Sequence, residues 1–344
     1  MKVFITGGAG FIGANLADYH LGRDDEVVIY DNLSRRGADC NLEWLRQRHG
    51  ERLVFCRGDI RDFDALSAAL PDDSARVYHM AGQVAVTTSI VDARQDFEIN
   101  ALGTFNVLEA VRHLAPEATL FYASTNKVYG GMEATATVED ANHYRYCDYP
   151  SAPHGISEEY PLDFHSPYGC SKGCGDQYAR DYARIYGLKT VVMRQSCIYG
   201  PRQLGVEDQG WVAHFCIAAR YGRPIFIFGN GKQVRDLLWV DDLIAAYEAA
   251  ATRIDVAAGQ IYNLGGGPDN TLSVWAEFGP LLARLAGREI AVTYADWRAG
   301  DQPVFVSDIR KAERELGWRP RVGVSEGIEH LWRWVDSHPE LFVY

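Results

Sequence analysis

Tyr168 and Lys172 stand four residues apart in the run Ser166-Pro167-Tyr168-Gly169-Cys170-Ser171-Lys172. The Ser-Pro start predicts a helix, and on a helix that spacing puts both side chains on one face. A phenol is a poor base at its ordinary pKa of about 10. A lysine cation beside it favours the phenolate, which can take a proton from a hydroxyl while hydride leaves the same carbon. Thr125, in Ser124-Thr125-Asn126-Lys127-Val128-Tyr129-Gly130, closes a predicted strand and can hydrogen-bond the oxygen that reacts. Taken singly, each has a plain structural explanation: Tyr/Lys pairs arise by chance on surface helices, and β-branched residues commonly end strands. Their company decides between the two.

That company begins with Thr6-Gly7-Gly8-Ala9-Gly10-Phe11-Ile12-Gly13, which follows the first strand and opens the first helix. Gly7 permits the tight turn, Gly10 lets the backbone approach a pyrophosphate, and Gly13 allows close helix–strand packing. The helix start, Phe11 and Ile12 included, offers N–H groups and a positive dipole end to an anion. Asp31 ends the second strand, 18 residues beyond Gly13, where a carboxylate accepts from the ribose hydroxyls and repels a 2′-phosphate. NAD is therefore expected over NADP, a preference that Arg35 and Arg36 temper. Asn32, Ser34 and Arg35 complete this strand end. Asp59 and Ile60 are placed to border the adenine. Ala81, Gly82 and Gln83 are placed beneath the nicotinamide ribose, with Asn100 in the same set.

The elements that must hold these residues alternate. Strands are predicted over Lys2–Thr6, Glu26–Tyr30, Leu53–Arg57, Arg76–His79, Thr119–Ala123 and Lys189–Arg194, with helices over Ile12–His20, Phe63–Ala69, Ala93–His113 and Pro167–Tyr186. Near-continuous apolar strands alternating with helices imply an α/β fold with a Rossmann-type doubly wound parallel sheet, its ligand edge at the strands' C-terminal ends. After Tyr199-Gly200-Pro201 the elements shorten, as in a smaller mixed α/β C-terminal substrate lobe. The expected division is 1–194, with 232–262 interleaved, for the dinucleotide domain, and 195–231 with 263–344 for the lobe. Met132–Pro161 is long, polar and rich in Tyr and His, Tyr149 among them; it reads as a loop folded over a ligand or as a surface excursion.

Composition sets outer bounds. With 344 residues, 47% hydrophobic and 23% charged, the chain can bury a large core. A net charge of −12 argues against nucleic acid, which needs a basic face, but not against an anionic small ligand held by a few arginines. No apolar run is long enough to cross a bilayer. The seven scattered cysteines point to a reduced, cytoplasmic setting. Cys170 and Cys174 share a helix face but find no further ligand at metal-site spacing, so they read as core residues and no metal is expected.

From Met1 to about Trp334 these separated motifs resemble the extended short-chain dehydrogenase/reductase family of nucleotide-sugar epimerases and dehydratases. The resemblance implies tightly bound NAD, a nucleotide-diphosphate-sugar substrate and Thr125, Tyr168 and Lys172 as the catalytic trio. It also implies a homodimer or homotetramer, formed through the helices Ala93–His113 and Pro167–Tyr186. Sugar dehydratases of the family carry Asp-Glu after the threonine, as acid and base for loss of water; here stand Asn126 and Lys127, so elimination is not expected. Without a second nucleophile for net oxidation, redox-neutral epimerisation remains. The segments 124–130 (STNKVYG) and 163–172 (DFHSPYGCSK) are similar to those of family members acting at C2 of CDP-linked hexoses, which implies C2 epimerisation through a transient 2-keto sugar. A UDP-sugar 4-epimerase of the uronate type stands as the alternative, and a non-catalytic sugar-nucleotide or redox-sensing protein as a third. Arg235 and Arg298 match the family's diphosphate-binding arginines. Gln203, Gln209, Trp211, Phe226 and Gln233 are candidates for the base or for lobe packing, Gln83 and Asn126 for the substrate, and His165 for the sugar or for helix-entry packing.

Overall fold

The computed structural model describes residues 1–147, 153–298 and 301–342. Tyr149, and the Ala299-Gly300 pair beside Arg298, lie outside the described residues. Seven strands form the large sheet: β1 (Lys2–Thr6), β2 (Glu26–Asp31), β3 (Leu53–Arg57), β4 (Arg76–His79), β5 (Thr119–Thr125), β6 (Lys189–Gln195) and β7 (Ile261–Leu264). Every neighbouring pair is parallel, in the order β7-β6-β5-β4-β1-β2-β3. The doubly wound sheet is thus the one the sequence implies.

The inner strands are largely apolar along their middles because both sheet faces are covered there, whereas the edge strand Leu53–Arg57 leaves Val54 half exposed. Val3, Ile5, Val27 and Ile29 point into one core, and Phe4, Val28 and Tyr30 into the other. Helices α1 (Phe11–Leu21) and α4 (Val240–Thr252) seal the first; α2 (Gly103–Leu114) and α3 (Ser166–Tyr186) seal the second. Strand order reverses between β1 and β4, so the loops that follow them part and leave a crevice at the strands' carboxyl ends.

A third core builds the smaller lobe from helices Trp211–Tyr221, Phe278–Ala286 and Val324–Ser337. The chain passes between the two parts more than once. Leu238–Trp239 pairs with Ile198–Tyr199, α4 and β7 return to the large sheet, and Ala312, Leu316 and Trp318 join the first core. Val234–Asp236, inside the stretch 232–262 expected to interleave, pairs instead with Thr271–Ser273 and Val304–Phe305 in a three-stranded sheet. Turn residues mark where elements end, not which distant strand they pair with.

Two other expectations change. The helix foreseen over Ala93–His113 is interrupted by a π-helical segment, Glu98–Leu102. The described part of Met132–Pro161 contains an antiparallel hairpin, Thr137–Glu139 with Tyr144–Tyr146, docked on the lobe by Tyr144 N–H to the Lys232 carbonyl at 3.0 Å. None of its described residues lines the crevice. No helix among the described residues is long and apolar enough to cross a membrane.

Candidate active site

A cleft of about 660 Å³ runs along the carboxyl edge and continues between the sheet and the smaller lobe. At one end the glycine loop joins β1 to α1. Gly7 has φ +67°, and a Cβ on Gly13 would sit 2.3 Å from the Gly7 carbonyl oxygen, so neither position admits another residue without rebuilding the turn. Gly10 caps α1 without a side chain. Gly7, Gly10, Phe11, Ile12, Asp31, Asn32, Ser34, Arg35, Asp59, Ile60, Ala81 and Gly82 all border this part of the cleft.

Asp31 is fixed by accepting from Ala9 N at 3.0 Å and Leu33 N at 2.8 Å. Burial pushes its carboxyl up, against those two N–H groups. Asp59 is held at about 2, chiefly by the Arg61 guanidinium, which donates to both its oxygens at 2.9 and 2.8 Å. This end of the cleft could hold a dinucleotide.

Thr125, at the end of β5, and Tyr168 and Lys172, on α3, meet in the middle of the cleft. The Thr125 hydroxyl donates to Asn126 Oδ1 at 3.4 Å and accepts from Lys127 N at 3.2 Å. Lys172 Nζ donates to the Ala123 carbonyl at 2.5 Å and lies 4.4 Å from the centre of the Tyr122 ring. The protein alone does not activate the phenol. Burial pushes Tyr168 up to about 12, Asp96 adds to the rise, and only Thr125 opposes it. Burial likewise draws Lys172 down to about 8, against Asp176 and Asp96. A further positive charge in the cleft is what would bring the phenolate within reach.

Gln83 and Asn100 do not line the cleft, contrary to expectation. The Gln83 side chain turns back to the Ala85 carbonyl at 2.7 Å and Asp96 Oδ1 at 3.0 Å. Asn100 accepts from Gln83 N at 2.9 Å and donates to the Gln83 carbonyl at 3.0 Å. Both amides therefore clamp the loop after β4. Asp96 joins them to α3 by accepting from Ser171 Oγ at 2.5 Å, and Ser89 Oγ accepts from Tyr168 N at 3.1 Å. Sequence reading missed Asp96 and Ser89 as positioning residues; the acid inside a helix beside Asn100 was the available signal.

Toward the lobe, Asn126, Lys127, His165, Gln203, Gln209, Trp211, Phe226, Gln233, Arg235 and Arg298 line the wall. Arg235 pairs with Asp301 at 2.6 Å, and Arg298 with Glu207 and Asp208, each at 3.3 Å, while stacking 3.8 Å from the Phe228 ring centre. Gln203 and Gln233 each spend their NH₂ on a backbone carbonyl and leave a buried carbonyl oxygen without a partner among the described residues. Gln209 accepts from Arg35 at 2.6 Å, bridging the two ends of the cleft. Trp211 packs its edge on Phe278 with centres 5.4 Å apart, and His165 is exposed at the start of α3. Asp301, Glu207 and Asp208, absent from the expected set, hold the arginines in place.

A dinucleotide edge, a Thr/Tyr/Lys group and a lobe carrying arginines over the same cleft define a class, and the chain belongs to it: the extended short-chain dehydrogenase/reductase family of NAD-dependent epimerases and dehydratases, with the sequence profile described as GDP-mannose 4,6 dehydratase matching residues 4–331. Among relatives, the chain is 44% identical to CDP-paratose 2-epimerase of Salmonella typhi over 98% of this chain and 100% of that one. Its structure superposes on dTDP-glucose 4,6-dehydratase from Streptomyces venezuelae, solved with NAD bound, at TM-score 0.83 and 28% identity, covering 99% and 98% of the two chains. It also superposes on UDP-glucuronic acid 4-epimerase from Bacillus cereus, solved with UDP-glucuronic acid and NAD, at TM-score 0.82 and 28% identity, covering 98% and 99%.

Proposed function

We propose that this protein is an NAD-dependent nucleotide-sugar epimerase that inverts C2 of a CDP-linked hexose of the paratose/tyvelose type. One observation carries the reading: the Thr125–Tyr168–Lys172 group faces a cleft where Asn126 and Lys127, not two carboxylates, follow the threonine. An amide and an ammonium cannot serve as the acid–base pair that water elimination needs. The 44% identity to a CDP-paratose 2-epimerase supports C2 and CDP.

NAD fits the edge from Gly7 to Asp59. Among the described residues a Cβ on Gly10 would press on the Gly7 carbonyl oxygen at 3.2 Å, and glycine there also leaves the helix start open to a pyrophosphate. Asp31 would take the adenosine ribose. When bound, the nicotinamide accepts and returns a hydride, and its positive ring favours the Tyr168 phenolate. Tyr168 removes the proton from the sugar C2 hydroxyl and later returns it. Thr125 orients that oxygen, Lys172 holds the helix face against β5, and Arg235 with Arg298 retains the diphosphate while the 2-keto sugar turns. A tight grip on the dinucleotide keeps the two half-reactions in one complex. NMR of products from CDP-paratose tests this: inversion at C2 is expected, with a C2 deuterium retained, and inversion at C4 alone or label washout would overturn it.

Replacing Asp31 by serine removes the carboxylate that repels a 2′-phosphate. The ratio of Kd values for NADP and NAD should then fall by about ten- to a hundredfold, read by fluorescence titration; an unchanged ratio places the discrimination elsewhere.

The same reading takes the protein as a cytoplasmic homodimer or homotetramer. Exposed apolar side chains on the outer helices support it, with Phe97 59%, Tyr178 46%, Ile185 66% and Tyr186 52% exposed. Sedimentation at micromolar concentration would report the state.

A further inference from the structure

Lys127 has no part in the chemistry above. Its ammonium lines the cleft two residues beyond Thr125, on a side chain 25% exposed. Among the described residues its acceptors are distant: Gln302 Oε1 at 3.5 Å and Asp301 Oδ1 at 3.9 Å, where a charge-assisted bond settles at about 2.7–2.9 Å. Gln302 is held by donating to the Gly130 carbonyl at 2.5 Å, and Asp301 Oδ1 already accepts from Arg235 Nη2 at 2.6 Å. One carboxylate oxygen thus lies between two cations. Burial draws the Lys127 ammonium below its ordinary pKa, with Asp301 opposing. A desolvated ammonium with long partners calls for a ligand oxygen.

Which oxygen follows from the carbon that reacts, and here the inference rests on the C2 reading. C2 adjoins C1, and C1 carries the phosphoester. With C2 at Tyr168 and Thr125, the sugar-linked phosphate lies one carbon away, on the path toward Arg235. An ammonium two residues past Thr125, sharing Asp301 with Arg235, faces it there. Were C4 at the trio, the sugar ring would stand between them. We propose that Lys127 binds the sugar-linked phosphate and tethers it while the ring turns from one face to the other. Asp301 keeps Lys127 and Arg235 aligned for that phosphate.

Calorimetry on the NAD-loaded protein separates the two phosphates. Lys127→Gln should weaken CDP about ten- to a hundredfold and leave CMP, which lacks the second phosphate, within about twofold of the unaltered protein. Lys127→Arg should recover part of the loss. Equal losses for CDP and CMP, or none for CDP, would overturn the proposal. UDP and UMP, run in parallel, read the same contact should the base reading fail, and product NMR judges the reacting carbon independently. On the unaltered protein, CDP should shield Lys127 from acetic anhydride, read by peptide mass, where CMP does not. Equal shielding by both would also overturn it.

Discussion

Tyr168→Phe should cut turnover about a thousandfold, the middle of the range for losing a positioned acid–base group, while the protein still folds and retains its dinucleotide. The substitution removes one oxygen from a ring that is 8% exposed and whose backbone N–H remains on Ser89 Oγ. Thr125 keeps Lys127 N as a donor, so no buried group is stranded. The loss should appear in kcat and leave KM nearly unchanged, because the phenol acts on the proton that moves and not on the diphosphate that anchors the substrate. Product formation followed by NMR, with cofactor retention by native mass spectrometry, checks both halves. Turnover within tenfold of the unaltered enzyme would mean that another group takes the proton.

The same residues show how far the sequence could be read. Tyr168 and Lys172 were legible because a helix converts a spacing of four into proximity, and the glycine loop because each glycine answers a steric demand of the turn. Strands covered on both faces announce themselves as apolar runs, and Lys2–Thr6 and Arg76–His79 fall where their side chains predict; the edge strand Leu53–Arg57 does so as well, with Val54 half exposed. Helix Ala38–His49 carries too many polar residues for its narrow buried face of Ala38, Leu42 and Leu45 to stand out. Gln83 and Asn100 follow the correct loop, but their side chains turn toward Asp96, and nothing local distinguishes an amide that touches a ligand from one that holds the loop beneath it. Val234–Asp236 is three residues long, too short to show a period, and its place depends on Leu272 and Phe305 far along the chain. Lys127 stood in plain view as a departure from the acid expected of a dehydratase; only the positions of Asp301, Arg235 and Gln302 give it a direction.

Behind the trio, a buried ion pair should prove costly to break. Asp176, on α3 four residues beyond Lys172, accepts from Arg194 Nε and Nη2, both at 2.9 Å, and the two side chains are 0% and 2% exposed. Ser124 Oγ donates to the same carboxylate at 2.6 Å, and Arg194 Nη1 donates to the Tyr129 hydroxyl at 3.0 Å. One carboxylate therefore ties α3 to the end of β5, next to Thr125, and to β6. Asp176→Asn keeps the shape but leaves the Arg194 charge buried without its counter-ion, which costs about 3–5 kcal/mol. Denaturant unfolding should show that loss in the midpoint at unchanged m-value, and Tm should fall by on the order of 5–15 °C. Removing both charges, as Asp176→Leu with Arg194→Met, should recover part of the loss, because the stranded guanidinium and not the missing pair dominates it. Activity need not recover with it: without the carboxylate, Ser124 loses its acceptor and Lys172 loses the charge that most opposes its desolvation. A single substitution costing less than about 1 kcal/mol, or a double variant no more stable than Asp176→Asn, would show that water reaches the pair and that the trio is held by packing alone.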